Sequence, residues 1–218
     1  IRFYGTPAEE GGSGKVYMVR AGLFDDVDAV LHWHPSNSNA ANAESSNSNK
    51  SAKFRFTGIS AHAAGSPHKG RSALDGVEAM NLMVNMMREH IPQESRIHYV
   101  ITKGGLAPNV IPDLAEVYYY VRHPKREKVQ EIFDWVVEAA EGAAIGTQTK
   151  VSYEVMHGNY SKLPNQTLQK IMHKNLLSRG GIKYSQEENE YAKKIHKTLI
   201  SPGGKIGDQE NIRPYSTS

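Results

Sequence analysis

Between Lys53 and His157 the sequence alternates between strand-like and helix-like periods in an order that few folds accommodate. Lys53 to Gly58 predicts a strand, and Ser72 to His90 a helix with Ala73, Val77, Met80, Val84 and Met87 on one stripe. Ile97, Tyr99 and Ile101 then alternate with His98, Val100 and Thr102, and Ala115 to Arg122 predicts a further strand. Pro124 opens a second helix, with Val129, Ile132, Phe133, Val136, Val137 and Ala140 on its inner face. Val151, Tyr153 and Val155 mark a last strand. The order β-α-β-β-α-β predicts an α+β, ferredoxin-like domain over 51–160, an antiparallel sheet with both helices on one face.

The flanks carry a different pattern. Ile1 to Tyr4 reads as a strand, Gly14 to Arg20 as a helix closed by Gly22, and Asp28 to His34 as a second strand. Strand, helix, strand is the ingredient of a parallel α/β sheet, so 1–50 is expected to be part of an α/β unit. The polar tract from Ser36 to Asn49 ends it as a connector, with a boundary near Lys50. After Gly158 two helical stretches, about 165–178 and 186–199, precede a turn-rich end, and 161–218 is expected to return to the α/β unit. Apolar residues run straight into the first turn, so the chain is expected to be a piece of a longer protein, and its start says nothing about targeting.

Composition narrows the function classes. The hydrophobic share of 39% suffices for a core, and no run of eighteen apolar residues is present to span a membrane. A formal charge of +3, spread along the chain, marks no nucleic-acid surface. With no cysteine, any metal must take oxygen and imidazole ligands.

Four places carry possible chemistry. Glu9 and Glu10 sit where a strand meets a glycine-rich turn. Neighbouring side chains of an extended backbone point oppositely, so one carboxylate suits a metal and the other the proton of an attacking water; equally, two acids there complement a helix dipole. His32 and His34 share one strand face, with His34 at the strand end beside Pro35; packed or solvated histidines are the plainer reading. His62, flanked by small residues, is free to approach a ligand or simply belongs to a loop. Asn109, in the turn-rich 104–113 connection, and Arg122 supply a neutral and a cationic donor, and an arginine fork suits a substrate carboxylate.

Together these motifs resemble the metal-dependent aminoacylase and glutamate carboxypeptidase family of co-catalytic zinc peptidases, with its amidohydrolase subgroup the nearest likeness. The carrying stretches are Pro7-Ala8-Glu9-Glu10-Gly11-Gly12-Ser13-Gly14, the 22–34 segment ending in His34, Gly58-Ile59-Ser60-Ala61-His62-Ala63-Ala64 with Pro67, Ala107-Pro108-Asn109-Val110-Ile111-Pro112-Asp113, and Tyr120-Val121-Arg122. The resemblance spans roughly 1–160. It implies an incomplete catalytic domain joined to an inserted lid or dimerisation domain. It implies that Glu9 is the general base, Glu10 a ligand of one metal and His34 of the other. It further implies that His62 polarises the scissile carbonyl, often from a neighbouring subunit, and that Asn109 and Arg122 receive the substrate carboxylate.

The activity implied is hydrolysis of an amide in an N-acyl or N-aroyl amino acid with a free carboxylate, aminobenzoyl-glutamate foremost, by a cytoplasmic homodimer using two divalent ions, zinc by preference. The family's upstream His motif and downstream His are not among these residues. The chain by itself is therefore expected neither to hold zinc tightly nor to hydrolyse amides. The competing reading is a non-catalytic ferredoxin-like dimerisation or small-ligand-binding module, since that fold hosts many functions.

Overall fold

A computed structural model describes residues 1–216 and divides the chain into two units, Ile1–Asp26 with Ser46–Ser161, and Val27–Ser45 with the stretch from Lys162 onward. In the first unit the elements are α1 (Gly14–Arg20), β1 (Ser48–Thr57), α2 (Ala73–Met87), β2 (Arg96–Lys103), β3 (Leu114–His123), α3 (Arg126–Thr147) and β4 (Lys150–Asn159). The four strands form one antiparallel sheet in the order β2-β3-β1-β4. This is the ferredoxin-like arrangement that the periodicity predicts.

Alternation decides the faces. Ala115, Val117, Tyr119 and Val121 of β3 join Ala52, Phe54 and Phe56 of β1 in one core with Val77, Met80 and Val84 of α2 and Ile132, Phe133 and Val136 of α3. The Phe54 ring meets Tyr119 edge-on at 5.9 Å, and the Tyr119 hydroxyl donates to Asn81, so the one buried phenol is satisfied. Ser72 caps α2 by accepting from the Asp75 amide at 3.1 Å. The opposite face of the sheet, away from α2 and α3, carries Glu116, Tyr118, Tyr120 and Arg122 from β3, beside Arg55, Lys53, Ser51 and Asn49 of β1. Of the alternating residues of β2 only Ile97 is buried, because β2 is an edge strand with a neighbour on one side alone.

Glu116 shows how a carboxylate survives in that face. Burial alone would raise its pKa, but the Thr102 hydroxyl at 2.7 Å, Arg55 at 2.6 Å and Lys53 at 3.7 Å outweigh burial and hold it below the ordinary 4.5. A folded pKa below the unfolded one contributes stability above pH 4.5 that is lost as pH falls through the folded value. Urea midpoints measured from about pH 6 to about pH 3 are therefore expected to fall less steeply in Glu116→Gln than in the wild type. Equal slopes would show the network to be inert.

The second unit is built differently. Its helices are α4 (Gln166–Arg179), capped by Asn165, and α5 (Gln186–His196), opened by a reciprocal Ser185 and Glu188 capping box. Asn39 bridges Ile212 in parallel, and its carbonyl accepts from the Arg213 amide at 2.9 Å. Neither helix has a buried residue, and Ile171, Leu177, Tyr191 and Ile195 are exposed.

Two expected strands are not found. Ile1 to Tyr4 and Asp28 to His34 carry no ladder, and Ile1, Phe3, Val30, Leu31 and Trp33 are exposed. A strand exists only by pairing, and periodicity reports which residues would suit a sheet without supplying the neighbour. The expected boundary at Lys50 falls inside β1, which begins at Ser48, and Ile1–Asp26 groups with the sheet rather than with the returning helices. Among the described residues no helix is long and apolar enough to cross a membrane.

Candidate functional site

The ends of the sheet hold two separate groups of candidate residues. At one end β1 runs into Gly58, whose amide donates to the Asp113 carbonyl at 2.8 Å. A Cβ at Gly58 would lie 1.9 Å from the Arg71 carbonyl oxygen, so only glycine lets the strand end, the start of α2 and the 104–113 connection converge. The next residues zip together: Ile59 bridges Arg71, His62 bridges Val110, Ala63 donates to the Asn109 carbonyl at 3.0 Å, and Ile111 donates to Ala61 at 3.0 Å. His62 and Asn109 are thereby held side by side on two laced loops.

The His62 ring is itself oriented. Its Nδ1 accepts from the Ala64 and Gly65 amides at 3.2 and 3.0 Å. An acceptor Nδ1 assigns the proton of the neutral ring to Nε2, leaving that N–H as a donor on an exposed side chain. Such a donor suits a carbonyl or oxyanion.

At the other end lie Arg122 and the Glu9-Glu10 turn. The turn is tight: Gly12 donates to the Ala8 carbonyl at 3.1 Å and Gly11 to Glu9 at 3.0 Å, with Gly11 at φ +93°. It rests on the face of the sheet opposite α2 and α3. A Cβ on Gly11 would sit 3.5 Å from Tyr120 Oη, and Ser13 Oγ donates to Asn159 Oδ1 at 2.7 Å. Beneath it Ser51, Tyr118, Tyr120 and His157 form a hydroxyl chain, with spacings of 3.3, 3.4 and 2.7 Å. Burial, then the hydrogen bond from Tyr118, pushes the Tyr120 phenol up to about 12, so it keeps its proton. Burial, then the Arg122 charge, pushes His157 down and favours a neutral ring. Arg122 stacks over Tyr120 at 5.3 Å, stands opposite Arg96 in the ladder, and has no ion pair among the described residues. Its fork is open to an anion.

Asn109 and Arg122 do not meet within one chain, because the length of β3 stands between them, roughly 26 Å at about 3.3 Å per residue. Glu9, Glu10 and Arg122 share one end of the sheet, and His62 and Asn109 share the other. His34 belongs to the second unit, where it is exposed and its Nδ1 lies 2.8 Å from the Pro35 carbonyl oxygen; His32 is exposed there too. That unit also has an open groove of about 770 Å³ lined by Ile182, Tyr184, Tyr191 and Leu199, and none of the candidate residues lines it. Glu10 and His34 have the donor chemistry zinc accepts. No three His, Asp or Glu side chains are grouped to hold an ion among the described residues, so they do not make a metal site by themselves. Ser13 and Tyr120 stand in motifs that the sequence marks, without a role of their own, and His157 and Asn159 carry no motif.

Residues 45–148 match the family described as "Peptidase dimerisation domain". These residues are a peptidase dimerisation domain. The chain is 48% identical to one of the subunits of the p-aminobenzoyl-glutamate hydrolase of Escherichia coli (strain K12) over 202 residues, 92% of this chain and 42% of that protein. It is 34% identical to the "Xaa-Arg dipeptidase" of Mus musculus over 75% of this chain and 38% of the relative. Among solved structures, the aminobenzoyl-glutamate utilization protein from Klebsiella pneumoniae superposes with a TM-score of 0.63 at 24% identity, covering 77% of this chain and 44% of that one. The chain thus spans about two fifths of the length of the curated relatives it matches. Peptidases of this family are generally metal-dependent.

Proposed function

We propose that this chain belongs to an amidohydrolase that cleaves an N-acyl or N-aroyl amino acid with a free carboxylate, of the aminobenzoyl-glutamate type. The observation that carries the reading is the 48% identity over 92% of the chain to a p-aminobenzoyl-glutamate hydrolase subunit. The placement of the residues supports it. Glu9 takes a proton from the attacking water and passes it to the amide nitrogen as the C–N bond breaks. The His62 Nε2–H donates to the carbonyl oxygen as negative charge develops there. Arg122 pairs with the substrate carboxylate, and Asn109 supplies a second, neutral donor. In this reading Glu10 would be a ligand of one divalent ion and His34 of another, zinc by preference, each completed by ligands that these 218 residues do not supply, and the chemistry such ions would supply is Lewis acidity.

Two copies are needed for this set, because His62 and Asn109 lie a strand length from Arg122. The outer side of α2 exposes Leu82, Met83 and Met86, and the free edge β2 exposes Tyr99, Val100 and Ile101. An unpaired edge strand beside an apolar helix flank suits a second copy of the same domain.

The test is release of p-aminobenzoate from p-aminobenzoyl-glutamate by the enzyme that contains this chain, with zinc supplied. Release that stops on chelation is expected, whereas the 218-residue chain alone should release none. A zinc-loaded, dimeric enzyme that cleaves no such amide would overturn the reading and leave a non-catalytic dimerisation module.

A further inference from the structure

The serine at the start of α1 forgoes the bond its position usually makes. Ser13 is the N-cap, yet its hydroxyl makes no cap hydrogen bond, and its backbone sits at φ +50°. Serine at an N-cap ordinarily accepts from an amide one turn on. Here the hydroxyl, on a side chain only 8% exposed, donates across to Asn159 Oδ1, on the last residue of β4. The same turn touches the sheet a second time, where Gly11 approaches Tyr120 Oη and any Cβ would stand 3.5 Å away. Tyr120 is in turn held by His157 at 2.7 Å, a residue 8% exposed.

We infer that Asn159 and Tyr120 are positioning residues for the Glu9-Glu10 turn, binding the carboxylate pair to the dimerisation sheet so that turn and sheet keep one geometry. The Ser13 to Asn159 bond fixes the C-terminal side of the turn. The Tyr120 and His157 pair forms the floor beneath Gly11, with Arg122 two residues along the same strand. The base and the carboxylate-binding arginine are thereby referred to one rigid element, which suits a reaction that tolerates little misplacement. Neither Asn159 nor Tyr120 touches the reacting atoms. The role rests on the assignment of Glu9 as the base proposed above.

Amide hydrogen exchange in the 218-residue chain tests the anchoring without any activity. In Asn159→Ala the amides of Gly11 and Gly12 are expected to exchange about tenfold faster, the equivalent of one hydrogen bond. Asn159→Asp, which retains the acceptor oxygen, should return them to the wild-type rate, and Ser13→Ala should reproduce the loss. The ladder amides of β1 and β3 serve as the folding control and should not change. Unchanged exchange at Gly11 and Gly12, or no rescue by Asp, overturns the inference and leaves the hydrolase reading intact. In the complete enzyme Asn159→Ala is expected to lower kcat about tenfold with KM unmoved. Faster exchange with an unchanged kcat would instead overturn the assignment of Glu9 and with it the positioning role.

Discussion

Glu9→Gln in the complete enzyme is expected to lower kcat by about a thousandfold and to leave KM within about twofold, the pattern of a lost general base. Glutamine keeps the size and polarity of the side chain and removes only its basicity. Glu9 is exposed and has no ion pair among the described residues, so the change costs the fold little. The alternative role, complementing the dipole of α1, predicts a different result. It would cost about 0.3–1 kcal/mol of stability and no catalysis. The geometry disfavours it, since α1 begins at Gly14 and has no acidic residue in its first turn. Thermal melts alongside the assay separate the two. A kcat within about threefold of wild type would end the general-base assignment.

Subunits carrying His62→Ala, mixed with subunits carrying Arg122→Ala, are expected to regain about a quarter of the wild-type activity that each variant alone has lost. Arg122 stands beside the Glu9-Glu10 turn, and His62 lies at the opposite end of the sheet. If each site takes its base and arginine from one copy and its histidine from the other, random re-pairing makes half the dimers mixed. Each mixed dimer concentrates both defects in one site and leaves the second site whole. Either variant alone should lose about a hundredfold or more, since each removes a donor to developing or fixed negative charge. Activity that does not rise after mixing and exchange would show that every site is completed within one subunit.

Much of the dimerisation domain was legible before its structure. Its helices and strands fall within a few residues of their expected places, because each element buries one face and the burial imposes a period of 2 or 3.6 on the apolar residues. The same reasoning failed for Ile1 to Tyr4 and Asp28 to His34, whose apolar residues satisfy the strand pattern and yet carry no ladder. β1 begins five residues before its expected start at Lys53, because Ser48 and Asn49 have the composition of a linker. The Ser48 hydroxyl accepts from the Ser161 amide at 2.9 Å, a partner 113 positions away that no window contains.

Between Lys53 and His157 the order of elements and the two faces of the central strands are written in the chain, as are the residue types able to hold a carboxylate, a proton or an ion. These follow from local periodicity and side-chain chemistry. Tertiary structure decided which of those residues can act together. Asn109 and Arg122 are thirteen positions apart and look like neighbours along the chain, but an extended strand between them separates them by its full length. Glu9 and Asn159 stand at opposite ends of the unit's sequence, yet the antiparallel return of β4 along β1 brings the turn and the strand end into contact. Chain separation and spatial separation are independent wherever a strand intervenes, and that is why the candidate residues of the first unit divide between two ends of one sheet.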